Sequence, residues 1–479
     1  MKATFVIIFT VFCLFLNAQS KNKLSTTGKS KQIDKFISAI NKEGQFMGAV
    51  LFAEKGKVIY KKGFGYADTK TKEKFTSATP CYVGSLSKQF TAIGIVILKE
   101  KGELHYDQSI RQYFPDLPRY CQDVSILNLL HHSSGLALFD DFPDMTKDDV
   151  YNILKQQSSL RFIPGAKFEY CNANYTLLGM IIEKISGKSL DEFMTTNVFI
   201  TCGMKNTYFD EPSIKRKRAV GYYIFGDICD YNTYIGGAAS VVSTVEDLYK
   251  WDKALYNPTF ISKQSLEEIF TPGKNRWDSQ MYGTQGYGLG WFISGDDSNK
   301  IVQHDGGFAG FRSYIERQTG EHNSIIFISN VRHALIGDIR EGINNILNDK
   351  PYIVPKFSGA NLILIKAKEV GIKQAINNYK TLTNTKDSTK YFFNERECNS
   401  LGYYLLRNNK IDDAIQLFKF NAEQFPASSN VFDSLGEAYL NAGDKKNALL
   451  SYKKVLELDP NNGNVADIIK NLEGGQFGQ

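Results

Sequence analysis

Two stretches of the chain carry the pattern of paired strands. Gly48 to Glu54 and Lys57 to Phe64 flank the turn pair Lys55-Gly56 and are expected to form a hairpin. Phe311 to Arg317 and Asn323 to Asn330 repeat that arrangement around Thr319-Gly320, and a helical segment follows from Gly337 to Asn348. Between the hairpins the periodicity is mostly helical, as in Gln89 to Lys101 closed by Gly102 and Tyr175 to Ile185 closed by Gly187. Strands at both ends of a region with helices between them predict an α+β fold. One antiparallel sheet is closed by the two ends and carries an inserted helical region.

Beyond about Pro355 the pattern changes to a helical repeat. Leu401-Gly402 recurs as Leu435-Gly436, Ala414 as Ala448, Phe418 as Tyr452 and Pro426 as Pro460, each pair 34 residues apart. This period, with small residues where two helices would cross and a Pro closing each unit, resembles the tetratricopeptide repeat, a helix-turn-helix unit that stacks on its neighbours. Ala375 and Tyr379 repeat the small-aromatic offset as an irregular first half-unit. Two full copies are few for such an array. Completion is expected from the helix around Ile372 to Leu382, from a cap near Val465 to Leu472, or from docking on the first domain.

At the N-terminus, Lys2 precedes an apolar run from Phe5 to Leu16 that suits a signal-peptide core and is too short to span a bilayer. Cleavage is expected near Ala18 or Gln19, which makes the mature chain periplasmic or secreted. The expected organisation is therefore residues 1–19 as signal peptide, 20–352 as the α+β domain and 353–479 as the all-α repeat domain.

A length of 479 residues agrees with more than one folding unit. With 42% hydrophobic and 23% charged residues the chain can bury a core and has no reason to stay unfolded. The net charge of +6 is spread along the chain without a basic run, which argues against nucleic acid as a partner. Seven cysteines include no CxxC pair, so neither a zinc ribbon nor a dithiol centre is indicated, and no metal or cofactor is implied.

The commoner catalytic signatures are missing: there is no GxSxG elbow, HExxH helix, Walker loop or GxGxxG fingerprint. A Ser-x-x-Lys tetrapeptide occurs three times, as Ser20/Lys23, Ser85/Lys88 and Ser451/Lys454. Context separates them. Ser20 falls at the signal cleavage region, and Ser451 lies on a repeat helix whose apolar positions already explain its spacing. Ser85 follows Gly84 at the start of a helix that is apolar nearly all round, which predicts burial of Lys88 in its first turn. Burial disfavours an ammonium and would make Lys88 a base for the Ser85 hydroxyl, while the helix start offers free N–H groups to an oxyanion. On these residues alone, a capping Ser85 with Lys88 reaching solvent is an equal reading.

Two further segments complete an ordered set. Gly84-Ser85-Leu86-Ser87-Lys88, Tyr170-Cys171-Asn172 and His304-Asp305-Gly306-Gly307 resemble the three motifs of the serine β-lactamase and penicillin-recognising superfamily. The likeness is to its class C-like branch of β-lactamases, D-Ala-D-Ala peptidases, D-aminopeptidases and esterases. Leu129 to Leu136, Ser243 to Leu248 and Tyr287 to Trp291 agree, and the resemblance covers about Ile33 to Leu347. It implies a β-lactamase-like sheet, Ser85 as nucleophile, Lys88 as its deprotonating neighbour and Tyr170 as second proton carrier. Tyr170 would need nearby cations, from Lys88 and His304, to stabilise a phenolate. Asn172 would bind the substrate amide or Lys88. Gly306 would let substrate approach the strand edge, and the Gly307 N–H would pair with that of Ser85 as an oxyanion hole.

The chain departs from the β-lactamase pattern at the third motif. His304-Asp305 stands where a fixed Lys and a hydroxyl usually grip a carboxylate, which implies weaker binding of carboxylate-bearing β-lactams. The expected function is an exported serine hydrolase acting through an acyl-enzyme on a β-lactam, D-amino-acid peptide or small ester. The alternative is a catalytically weak peptidoglycan- or peptide-binding protein whose repeats recruit a protein partner.

Overall fold

The computed structural model describes residues 25–139, 144–223, 227–229, 233–279, 283–296, 300–385 and 389–474. The expected signal peptide, including Cys13, and the Ser20/Lys23 pair lie outside the described residues, as do parts of the loops from Leu138 to Asp149 and Tyr222 to Tyr234.

Helix α1 (Thr26–Lys42) leads into strands β1 (Gly48–Glu54) and β2 (Lys57–Phe64), joined at Lys55 and Gly56, both with positive φ, as a tight hairpin requires. Six further strands come from the far end of the same domain: β3 (Arg276–Ser279), β4 (Gly283–Tyr287), β5 (Phe292–Ser294), β6 (Ile301–Phe308), β7 (Phe311–Gln318) and β8 (Asn323–Ser329). The sheet order is β2-β1-β8-β7-β6-β5-β4-β3, antiparallel throughout. The pairing of β1 with β8 closes the domain by joining its two ends.

Period-two alternation sends each strand to two cores. Val50, Phe52, Tyr314, Ile325 and Phe327 face a layer made by α1 and a later helix, Ile336–Leu347. Ala49, Leu51, Ile315, Ile326 and Ile328 face the inserted helical region. At the centre of that region lies α2 (Ser87–Glu100), buried on nearly every side, as its apolar sequence requires. A second helix, α3 (Asn172–Ser186), packs beside it and ends at Gly187 in the left-handed conformation. Each of these helices begins two or three residues before the stretch that periodicity marks, because their first turns carry polar site residues.

Seven further helices follow among the described residues: Gly359–Val370, Ile372–Thr383, Glu395–Arg407, Ile411–Gln424, Ser429–Asn441, Lys445–Leu458 and Gly463–Glu473, around a separate core. The 34-residue correspondence is a packing rule. A Cβ on Gly402 would lie 2.4 Å from the Phe418 ring, and one on Gly436 would lie 2.9 Å from the Tyr452 ring. Each unit crosses its two helices at a glycine against an aromatic face. All three expected completions of the array occur: helices precede it, Gly463–Glu473 follows it, and it docks on the first domain. Phe357 is buried in the sheet-side core, Tyr391 Oη donates to Glu43 at 3.0 Å, and Asp227 accepts from Lys368 Nζ at 2.8 Å and Tyr404 Oη at 2.7 Å. Among the described residues no helix is long and apolar enough to cross a membrane.

Candidate active site

Ser85 lies on a single 3-10 turn, Gly84–Leu86, that leads directly into α2. Gly84 has φ +53, and a Cβ there would lie 2.7 Å from the Gly307 nitrogen, so the turn can press against β6 only with glycine at this position. Ser85 is partly exposed, whereas Lys88, one turn on, is fully buried. Lys88 does not reach solvent. Its Nζ lies 3.1 Å from Ser85 Oγ, 2.9 Å from Asn172 Oδ1 and 2.9 Å from the Ala238 carbonyl oxygen.

The chemistry of those three oxygens is informative. Asn172 Oδ1 and the Ala238 carbonyl can only accept, so Lys88 donates to both, and a neutral amine doing so would keep a lone pair for the Ser85 hydroxyl. Ala238 is held in place by the same helix: Thr91 Oγ1 donates to the Gly237 carbonyl at 2.8 Å, and the Val241 N–H donates to Ser87 Oγ at 2.9 Å. Backbone donors and acceptors leave no signature in side-chain identity, and Ala238 escapes sequence reasoning for that reason.

Tyr170 sits in the extended segment before α3, and Lys88 Nζ is 4.8 Å from its ring centroid. The segment is pinned by His132, whose left-handed backbone (φ +52) turns its carbonyl to accept from the Glu169 N–H at 2.8 Å. His132 Nδ1 accepts from the Cys171 N–H at 3.1 Å, and its ring lies 4.3 Å, centroid to centroid, from that of Tyr170. Burial holds His132 well below the usual histidine range, so it is a neutral acceptor. His132 falls inside the Leu129 to Leu136 stretch, from which sequence reasoning picked out no single residue. Among the described residues no cluster suited to a metal occurs.

His304 is also buried. Its Nδ1 lies 2.6 Å from the Asp305 carbonyl oxygen and must donate there, which leaves Nε2 to accept from Tyr287 Oη at 3.2 Å. Burial lowers its pKa to about 4, against the opposing charge of Asp305. His304 therefore adds no cation beside Tyr170, contrary to the sequence expectation. Gly306 lies against the residue before the Ser85 turn: a Cβ there would meet the Val83 carbonyl oxygen at 2.1 Å. Gly307, one residue on, is the position that touches the Ser85 turn.

The described Ser451/Lys454 pair forms no comparable group. Ser451 Oγ donates to the Asn447 carbonyl at 2.9 Å within its own helix, and Lys454 pairs with Glu457. The six described cysteines are free thiols.

The fold and these motifs are those of the penicillin-binding and β-lactamase-like serine hydrolase family, and comparison with known proteins agrees. The β-lactamase family model matches residues 33–338, and the chain belongs to that family. A tetratricopeptide repeat model matches residues 430–462. Penicillin-binding protein 4* of Bacillus subtilis (strain 168) is 32% identical over 359 residues, 68% of this chain and 78% of that one. Among solved structures, the octameric penicillin-binding protein homologue from Pyrococcus abyssi shares 25% identity at a TM-score of 0.60, covering 67% of this chain and 77% of its own. A class C β-lactamase, 22% identical with a TM-score of 0.58, covers 68% of this chain and 97% of its own and shows the shared fold.

Proposed function

We propose that this protein hydrolyses an ester or amide through an acyl-enzyme on Ser85. The observation that carries this reading is the buried Lys88 amine 3.1 Å from Ser85 Oγ, with its other two oxygens able only to accept. Lys88 takes the Ser85 proton as Oγ bonds to the substrate carbonyl carbon. The N–H groups of Ser85 and Gly307 receive the oxyanion. As the bond to the leaving group breaks, the proton passes through Tyr170 to the departing oxygen or nitrogen. Water then attacks the acyl carbon, gives up a proton by the reverse route and restores the Ser85 hydroxyl. Asn172 holds Lys88 and offers its amide to the substrate.

The substrate classes follow the branch: a small ester, a D-amino-acid amide or peptide, or a β-lactam. Export through the N-terminal apolar segment would place the enzyme where such substrates occur, in a periplasm or outside the cell. The repeat domain supplies a protein-interaction surface in addition to its docking on the hydrolase domain. A panel of a nitrophenyl ester, a D-amino-acid amide and a chromogenic cephalosporin tests the reading on wild type and Ser85→Ala. Turnover of at least one substrate that disappears in Ser85→Ala supports it. Equal residual turnover in both proteins refutes it.

A further inference from the structure

The repeat domain grips one carboxylate of the hydrolase domain from two of its helices. Asp227 accepts from Lys368 Nζ, on Gly359–Val370, at 2.8 Å and from Tyr404 Oη, on Glu395–Arg407, at 2.7 Å. The Tyr404 ring lies 5.3 Å from that of Tyr223, centroid to centroid, and the Arg332 guanidinium lies over Tyr223 at 5.3 Å. Residues 221–223 and 227–229 pair antiparallel around Tyr222 and Ile228. The Cys229 N–H donates to the Gly221 carbonyl at 2.9 Å, and the Tyr223 N–H to the Asp227 carbonyl at 2.8 Å. The gripped carboxylate therefore belongs to a hydrogen-bonded ribbon.

That ribbon lies against Ala309-Gly310, the turn with positive φ that joins β6 to β7. A Cβ on Gly221 would lie 2.1 Å from the Ala309 carbonyl oxygen, and one on Gly310 would lie 2.6 Å from the Tyr222 nitrogen and 2.9 Å from Cys229 Cβ. Backbone meets backbone there, with no long side chain to absorb a shift. Just before this turn, the Gly307 nitrogen lies 2.7 Å from the point that a Cβ on Gly84 would occupy, beside Ser85. The same chain runs on through Tyr234, whose N–H donates to the Met145 carbonyl at 2.8 Å, to Ala238, whose carbonyl accepts from Lys88 Nζ at 2.9 Å. Asp227 is thus tied to two backbone groups of the candidate site, to one by packing and to the other along the chain.

An ion pair as exposed as this one contributes little to stability: Lys368 is 41% and Asp227 33% exposed. Its consequence is placement. We infer that Asp227 is a positioning residue through which the repeat domain holds the backbone of the third motif, and with it the Gly307 N–H, in place beside Ser85. The inference rests on the hydrolase reading above and deepens it, by giving the repeat domain a part in turnover.

In the full chain, Asp227→Ala removes the clamp from the hydrolase side, and Lys368→Met with Tyr404→Phe removes it from the repeat side. Turnover of a nitrophenyl ester is measured as kcat per Ser85 that takes one acyl group, counted by intact mass, so that a misfolded fraction does not register. A misplacement of about 1 Å can cost about 10²-fold, so partial loosening should lower kcat about fivefold or more in both variants, with KM within about twofold of wild type. Amide hydrogen exchange of the peptide spanning residues 304–311 should quicken in both. Asp227→Asn, which keeps an acceptor for Tyr404, should recover part of the loss. Combining the two sets of substitutions should add nothing, because both remove one contact. A kcat within about twofold of wild type in both variants overturns the inference, and so does a loss in Asp227→Ala that the repeat-side variant does not reproduce. Turnover that persists in Ser85→Ala is a distinct result that removes the hydrolase reading, and unchanged exchange at residues 304–311 would then overturn the coupling as well.

Discussion

Replacing Lys88 with methionine separates catalysis from stability. The Lys88 amine is fully buried, with oxygens of Ser85, Asn172 and Ala238 in hydrogen-bond range. Neutral hydrogen bonds contribute about 0.5–1.5 kcal/mol each, so these together give about 1.5–4.5 kcal/mol. Burying the polar amine in place of an apolar side chain costs about 1–3 kcal/mol against that gain. Methionine has nearly the same length and volume and leaves the Ala238 carbonyl unpaired at a cost of about 1–3 kcal/mol. These terms nearly cancel, and the net change in unfolding free energy should stay within about 2 kcal/mol of zero. Loss of the base should lower the acylation rate by about 10²–10⁴-fold. Urea unfolding followed by tryptophan fluorescence, with stopped-flow acylation by a nitrophenyl ester, measures both. A stability loss above about 4 kcal/mol with an acylation rate close to wild type would refute the reasoning and make Lys88 a structural residue.

Three further outcomes are expected. His132→Asn keeps an acceptor for the Cys171 N–H and suits the left-handed backbone, so it should retain most activity, whereas His132→Phe should lose about tenfold or more in kcat; equal losses in both would mean that the ring and not Nδ1 positions Tyr170. Because burial depresses the pKa values of His132 and His304, the folded state resists protonation that the unfolded chain accepts, and stability should fall as pH drops from 7 through the unfolded value near 6.5 toward 4; at pH 5 each contributes up to about 2 kcal/mol of loss, and denaturant midpoints of wild type that do not shift between pH 7 and 5 would contradict this. Phe357→Ala, at the junction of the two domains, should cost the hydrolase domain about 3 kcal/mol by calorimetry, while a loss below about 1 kcal/mol would show that the repeat domain does not buttress it.

Much of the architecture was legible because its causes are local. The two hairpins follow from turn residues and alternation, and the sheet alternates between two cores as period two requires. The 34-residue repeat was readable because Gly402 and Gly436 each meet an aromatic ring. The three motifs pointed to residues that the fold does bring together, with Ser85, Lys88 and Asn172 in one hydrogen-bonded group and Tyr170 over Lys88. What sequence could not show depended on backbone or on cross-strand register. Ala238 acts through a carbonyl, and His132 through a turn that points its ring at another segment. Gly306 and Gly307 look alike in sequence, yet one makes room for Val83 and the other for Arg312.

The most direct test of the central claim is the intact mass of the protein after brief exposure to a slowly deacylating ester or β-lactam, followed by peptide mapping. One acyl group should appear on the peptide containing Ser85, build up in wild type and be missing in Ser85→Ala. An adduct on any other residue, or the same mass gain in Ser85→Ala, would contradict the account.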